Sequence, residues 1–125
     1  MNVKTDTKEK FSVITPDAAE LTANMTEELS IMLLAYLQKD IPHVILKMSE
    51  IQKVEEKAAE SLSVLQQRFY ENNASMVICE LQPAVEEQLD KMELLELLNV
   101  TPTESEAWDI VQMEMIEREI LGGEE

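Results

Sequence analysis

The sequence predicts an α/β protein, a mixed sheet of four to five strands with four helices packed mainly on one face. Two observations carry that reading. His43–Met48 (HVILKM) and Ser75–Glu80 (SMVICE) are short, apolar, β-branched runs, the mark of central strands buried on both faces. Amphipathic helical segments alternate with them, and strand–helix alternation builds a sheet with a parallel core. At 125 residues and 14.3 kDa the chain is expected to form one domain, 1–121, with a flexible acidic tail at 122–125.

The elements follow in order. Val3, Thr5 and Thr7 alternate with polar residues, as do Phe11, Val13 and Thr15, so 2–7 and 11–15 read as strands joined by a turn at Lys8–Lys10. Pro16-Asp17 breaks the pattern, and 18–23 stays ambiguous, with a short extended piece around Leu21 as one option. Thr26 is expected to cap the first helix, with Glu27 and Glu28 in its first turn. Leu29, Met32, Leu33, Tyr36 and Leu37 form its apolar stripe, and Pro42 stops it after Lys39-Asp40. A polar stretch, Ser49–Lys57, leads from the first buried strand into a second helix over 56–72. That helix buries Leu62, Leu65, Gln66 and Phe69 and is stopped by Asn72-Asn73. Pro83 opens a third helix, Gln82–Met92, with Val85, Leu89 and Met92 inward. A last strand is expected at 98–101. Thr103-x-x-Glu106 is a capping box for a fourth helix, 104–120, with Trp108, Val111 and Met115 on one face.

Composition narrows the function. The formal net charge is −16, from 26 acids against 10 bases, which argues against nucleic acid and against anionic membrane surfaces. Most of the acidity falls in residues 48–125, on helical segments where charge runs usually mark a solvated face. One cysteine, Cys79, and one histidine, His43, leave no disulfide, no thiol metal cage and no His-rich zinc site. Both glycines lie in the tail, so no Gly-rich phosphate loop exists in the body. The first ten residues do not read as a signal peptide, and a reducing, cytoplasmic setting is expected.

With the elements in this order the chain resembles a STAS domain, the fold of anti-sigma factor antagonists and of sulfate-transporter tails. The resemblance covers roughly residues 2–116. It rests on the element order and on Val44-Ile-Leu-Lys-Met-Ser-Glu-Ile51, similar to the family's "V-hydrophobic-L-D-L-S-x-V". It rests also on the strand 76–79 followed by Gln82-Pro83-Ala84-Val85, like its "x-P-x-V", and on Glu106-Ala107 with Ile110, like the "EA" start of its last helix. The resemblance implies a non-enzymatic, cofactor-free bacterial regulator of transcription that binds a protein. The implied partner is an anti-sigma factor kinase or a related regulator.

In the family, the loop after the strand reads "D-S-S/T-G-L", and its first hydroxyl residue is the phosphoacceptor. Counted from Ser49 and Ile51, the Asp falls on Glu55, the acceptor on Glu56, the second hydroxyl on Lys57 and the glycine on Ala58. The Asp of "L-D-L-S" falls on Lys47. Each of these positions departs from the pattern. The resemblance therefore implies a partner-binding loop of Ser49, Gln52, Lys53, Glu55, Glu56, Lys57 and Glu60, with Glu56 equivalent to the phosphoacceptor and without a phosphorylatable switch.

Three readings of the loop stay open. Glu56 can imitate the phosphorylated state in part, with one charge against about 1.5–2 for phosphoserine. The loop can dock a different partner bearing Lys or Arg. Or Glu55 and Glu56 can simply be favourable helix-start residues. A ligand-sensing or structural STAS module is the competing function. Divalent-cation binding by Glu55, Glu56 and Glu60 is disfavoured, because the loop lacks a Gly or Asn turn framework. His43 is expected to be a strand-end residue and Cys79 an inert core thiol. The methionines, Met113 and Met115 among them, are expected mainly as core filler. Trp108 is expected to anchor helix to sheet. The wide apolar set on the last helix suggests a homodimer through it.

Overall fold

The central strands are buried on both faces, so helices must cover both sides of the sheet. In the computed structural model, which describes residues 1–122, the strands are β1 (Val3–Thr7), β2 (Ser12–Pro16), β3 (Glu20–Leu21), β4 (Val44–Lys47), β5 (Lys53–Val54), β6 (Met76–Cys79) and β7 (Val100–Thr101). The helices are α1 (Ala23–Leu34, extended by a 3-10 turn at Ala35–Gln38), α2 (Glu56–Glu71), α3 (Pro83–Lys91) and α4 (Glu104–Gly122). The main sheet has five strands in the order β1-β2-β4-β6-β7. Only the β1–β2 hairpin is antiparallel; β2, β4, β6 and β7 run parallel. A two-strand parallel ribbon, β3–β5, stands apart.

Side chains alternate across a strand, so β2, β4 and β6 feed two cores. Ile14, Val44, Leu46, Met76 and Ile78 face one way and pack with Leu29 and Leu33 of α1, Leu62, Leu65 and Phe69 of α2, and Val85 and Leu89 of α3. Val13, Ile45, Val77 and Cys79 face the other way and meet Ala107 and Val111 of α4. Three helices therefore cover one face and α4 covers the other. Trp108 anchors α4 to the hairpin by stacking on Phe11, with ring centroids 4.9 Å apart.

Several local expectations are corrected. α1 starts at Ala23, capped by Thr22, whose Oγ1 accepts from Met25 N at 3.2 Å. Thr26 is buried inside the helix and its hydroxyl donates to the Ala23 carbonyl at 2.7 Å, so it cannot cap, and Glu27 and Glu28 fall beyond the first turn. The polar stretch 49–57 is not plain loop: Lys53–Val54 pairs with Glu20–Leu21. On α4, Met115 does not share the inward face with Val111. That face continues through Glu114 and Arg118, whose polarity hid it in the sequence. Met48 and Met76 are core, whereas Met113 and Met115 are exposed. The expected tail lies, beyond Gly122, outside the described residues.

Glycine is absent from the body, yet the backbone turns left-handed at three positions. Asn73 (φ 59°), Glu80 (φ 56°) and Glu93 (φ 60°) take these places. Asn73 and Glu93 each follow a helix end closed by paired bonds. Ala74 N donates to Phe69 O and Asn73 N to Tyr70 O after α2; Leu94 N donates to Leu89 O and Glu93 N to Asp90 O after α3.

Candidate functional site

Loops that leave the carboxyl ends of parallel strands are where α/β folds present their working surface. The segment Ser49–Lys57 leaves the end of β4 and runs into α2. Its frame is fixed from four sides. Met48 N donates to Cys79 O at 3.0 Å on β6. Gln82 Nε2, at the start of α3, donates to the Ser49 carbonyl at 2.8 Å. Gln52 N and Lys53 N both donate to Ala19 O, at 2.6 and 3.1 Å. Val54 N donates to Gln88 Oε1 of α3 at 3.1 Å, and Glu55 N to Leu21 O at 3.0 Å. Ile51 and Val54 are buried and pin the segment to the core. A loop with this many satisfied backbone groups is held in one conformation.

On that frame the side chains of Gln52, Lys53, Glu55, Glu56, Lys57 and Glu60 are exposed, while Ser49 is half-buried with its carbonyl engaged. The sequence-predicted residues other than Ser49 thus share exposure to solvent, with one distinction. Glu55 is occupied: its Oε1 accepts from Ala23 N, the first amide of α1, at 2.7 Å, while its backbone caps α2. The carboxylate sits where the amino ends of α1 and α2 meet, which favours negative charge. Glu56 is the first residue of α2, and among the described residues no hydrogen bond or ion pair holds its carboxylate. Ala58, the residue the resemblance sets against the family's glycine, is buried in regular helix.

The residues that build the frame carry no local signal in the sequence: Gln82, Gln88 and the Ala19 carbonyl are all distant along the chain. Nor does the ion pair beside it. Lys47 Nζ lies 3.6 Å from Glu80 Oε2 at the carboxyl ends of β4 and β6. The left-handed turn at Glu80 returns the side chain toward Lys47. Neighbouring Cys79 is buried, and burial, with Glu80 and Glu104 adding to it, pushes its thiol up to about 12. It stays a protonated core thiol.

A second polar cluster lies at the opposite end of β6. Glu114 accepts from Ser75 Oγ at 2.6 Å and from Asn99 Nδ2 at 2.9 Å. Arg118 donates to the Ala74 carbonyl and to Ser75 Oγ, with its guanidinium over the Tyr70 ring. His43 Nδ1 accepts from the Ser75 backbone N at 3.2 Å, not from its hydroxyl, so the two do not form a nucleophile–base pair. Burial, then the Arg118 charge, lowers the His43 pKa below the usual imidazole value. The cluster ties α4 to the amino end of the sheet. Among the described residues no group of three or more His, Cys, Asp or Glu side chains is placed to hold a metal ion, and no helix is long and apolar enough to cross a membrane.

A five-stranded mixed sheet with three helices on one face, one on the other, and a fixed loop entering α2 is the architecture that the resemblance to a STAS domain implied. The family model for the STAS domain matches residues 2–107, and the chain belongs to that family. Solved structures agree on the fold. A putative anti-sigma factor antagonist of Thermotoga maritima superposes with a TM-score of 0.76 at 14% identity, covering 88% of this chain and 94% of that one. The anti-sigma factor antagonist SpoIIAA in its unphosphorylated form gives 0.68 at 15% identity, covering 89% and 96%. A variant of RsbS from Moorella thermoacetica, with glutamate replacing one serine, gives 0.71 at 15% identity, covering 90% and 96%. No curated protein sequence matches the chain significantly.

Proposed function

We propose that this STAS domain is a non-enzymatic, cytoplasmic regulatory module that binds a protein through Ser49–Lys57 and the first turn of α2. Its partner is an anti-sigma factor kinase or a related regulator. Glu56 stands where the regulated members carry their phosphoacceptor and presents a permanent negative charge there. The observation that carries the reading is the contrast within one short segment. The backbone is bonded to β3, β6 and α3, while Gln52, Lys53, Glu56, Lys57 and Glu60 are left to solvent. Conformational order without side-chain engagement suits a surface waiting for a partner, since little ordering cost remains at binding.

The lack of a phosphorylatable switch is tested by incubation with anti-sigma-type kinases from the same genome and labelled ATP. Wild type is expected to take up no phosphate, and Glu56→Ser to take it up at residue 56. Label on Ser49 or Ser61 of the wild type would contradict the reading. So would a Glu56→Ser protein that none of the kinases modifies.

A further inference from the structure

α4 carries a second apolar surface that the fold does not use. Ala107, Val111, Glu114 and Arg118 face the sheet side. At 100° per residue, Met113, Ile116 and Ile120 fall on nearly the opposite side, at i, i+3 and i+7. They are 55%, 56% and 60% exposed. A shallow depression of about 190 Å³ adjoins them, lined by Lys10, Trp108, Gln112, Met115, Ile116 and Glu119.

The rim of this stripe has one sign. Glu117 lies on one flank and Glu119 on the other, Glu106 continues the Glu117 flank toward the start of the helix, and Asp109 stands at the amino end of the stripe itself; all four are exposed. Arg118 is the only base in α4, and it is turned inward, on Ser75 and the Ala74 carbonyl. Lys10 borders the depression from the hairpin and is the one base beside it.

We propose that this face of α4 docks a basic amphipathic helix of another protein. Its apolar residues would lie along Met113, Ile116 and Ile120, and its Lys and Arg would meet Glu117, Glu119 and Asp109. Methionine and isoleucine at helical spacing suit a helical ligand, and the unbranched Met113 and Met115 side chains adapt to its contour. The acidic rim selects the sign of the partner. A second copy of this chain suits the face less well, because it would bring the same acids and a net charge of −16 against them. The surface is independent of the loop before α2, which lies with the helices on the other face of the sheet.

The test titrates the full chain into a fluorescein-labelled leucine–lysine amphipathic helix of about 18 residues, close to the span of α4. A leucine–glutamate peptide is the control, and anisotropy is the readout. The leucine–lysine peptide is expected to bind and the acidic one not to bind. I116S with I120S should weaken binding by at least about tenfold, as truncating central apolar anchors does. These side chains are exposed, so the melting curve should not move. E117Q with E119Q should weaken binding several-fold and flatten its salt dependence. E86Q with E87Q, on α3, should leave it within about twofold. Absence of binding, indifference to the isoleucine changes, or equal loss from the α3 and α4 charge changes would overturn the proposal. So would a dimer in sedimentation equilibrium that I116S dissolves, since a second copy would then occupy the face.

Discussion

The Glu55 carboxylate accepts from the first amide of α1 at 2.7 Å, and the Glu55 carbonyl accepts from Ala59 N at 3.0 Å in the first turn of α2. One residue thereby closes two helix starts. Glu55→Ala should cost about 0.5–2 kcal/mol in urea unfolding, the range for a lost cap. Glu55→Gln should keep most of that, and Glu56→Ala should change little. At His43 the folded pKa is lowered, so the unfolded chain binds a proton that the folded chain refuses. Stability from this site is complete above the unfolded value near 6.5 and is lost as pH falls through it toward the folded value. Arg118, Glu114 and Ser75 face the ring. His43→Asn keeps an acceptor for Ser75 N without a proton to gain. Wild type should therefore lose stability relative to this variant below about pH 6.5, read as the difference between their melting temperatures. A variant curve parallel to wild type would contradict the neutral His43. Cys79, with its thiol pushed up to about 12, should resist maleimide at pH 8 until the protein is unfolded.

At the scale of elements, the two helix ends that follow α2 and α3 share one geometry but not one sequence signal. Asn72-Asn73 was readable as a stop because asparagine tolerates the left-handed region. Glu93 gives no such sign, and it also places negative charge at a helix carboxyl end. Glu93→Gly should stabilise the protein by about 1 kcal/mol, net of glycine's greater freedom when unfolded, with a matching rise in melting temperature. A fall would show that the Glu93 side chain contributes more than its strain costs. The same contrast explains which elements were legible. β4 and β6 announce themselves by apolar runs, and α2 by its stripe. The start of α1 was misplaced by one turn because Thr22 and Thr26 look alike locally, and the group that settles the matter, Glu55, is 32 residues away. The inward face of α4 is not legible locally because Glu114 and Arg118 are half-buried polar residues whose partners, Ser75, Asn99 and Ala74, come from other elements.

Across the whole molecule, the two cores follow from side chains that alternate between the faces of three short strands, and the fold class is readable from the apolar runs of β4 and β6 set between helical stripes. The candidate loop was readable as a position but not as a structure. Its frame depends on Ala19, Gln82 and Gln88, and nothing local marks them. The result is an acidic domain with a fixed loop on one side and an apolar, acid-rimmed helix on the other. The role of the loop is read by titration calorimetry of wild type and Glu56→Ser against anti-sigma-type kinases from the same genome. If Glu56 imitates the phosphorylated state, as proposed for its charge, Glu56→Ser binds at least about tenfold more tightly, a change of about 1.4 kcal/mol. Equal tight binding by both would contradict that role for Glu56, and no binding by either would contradict the docking surface itself.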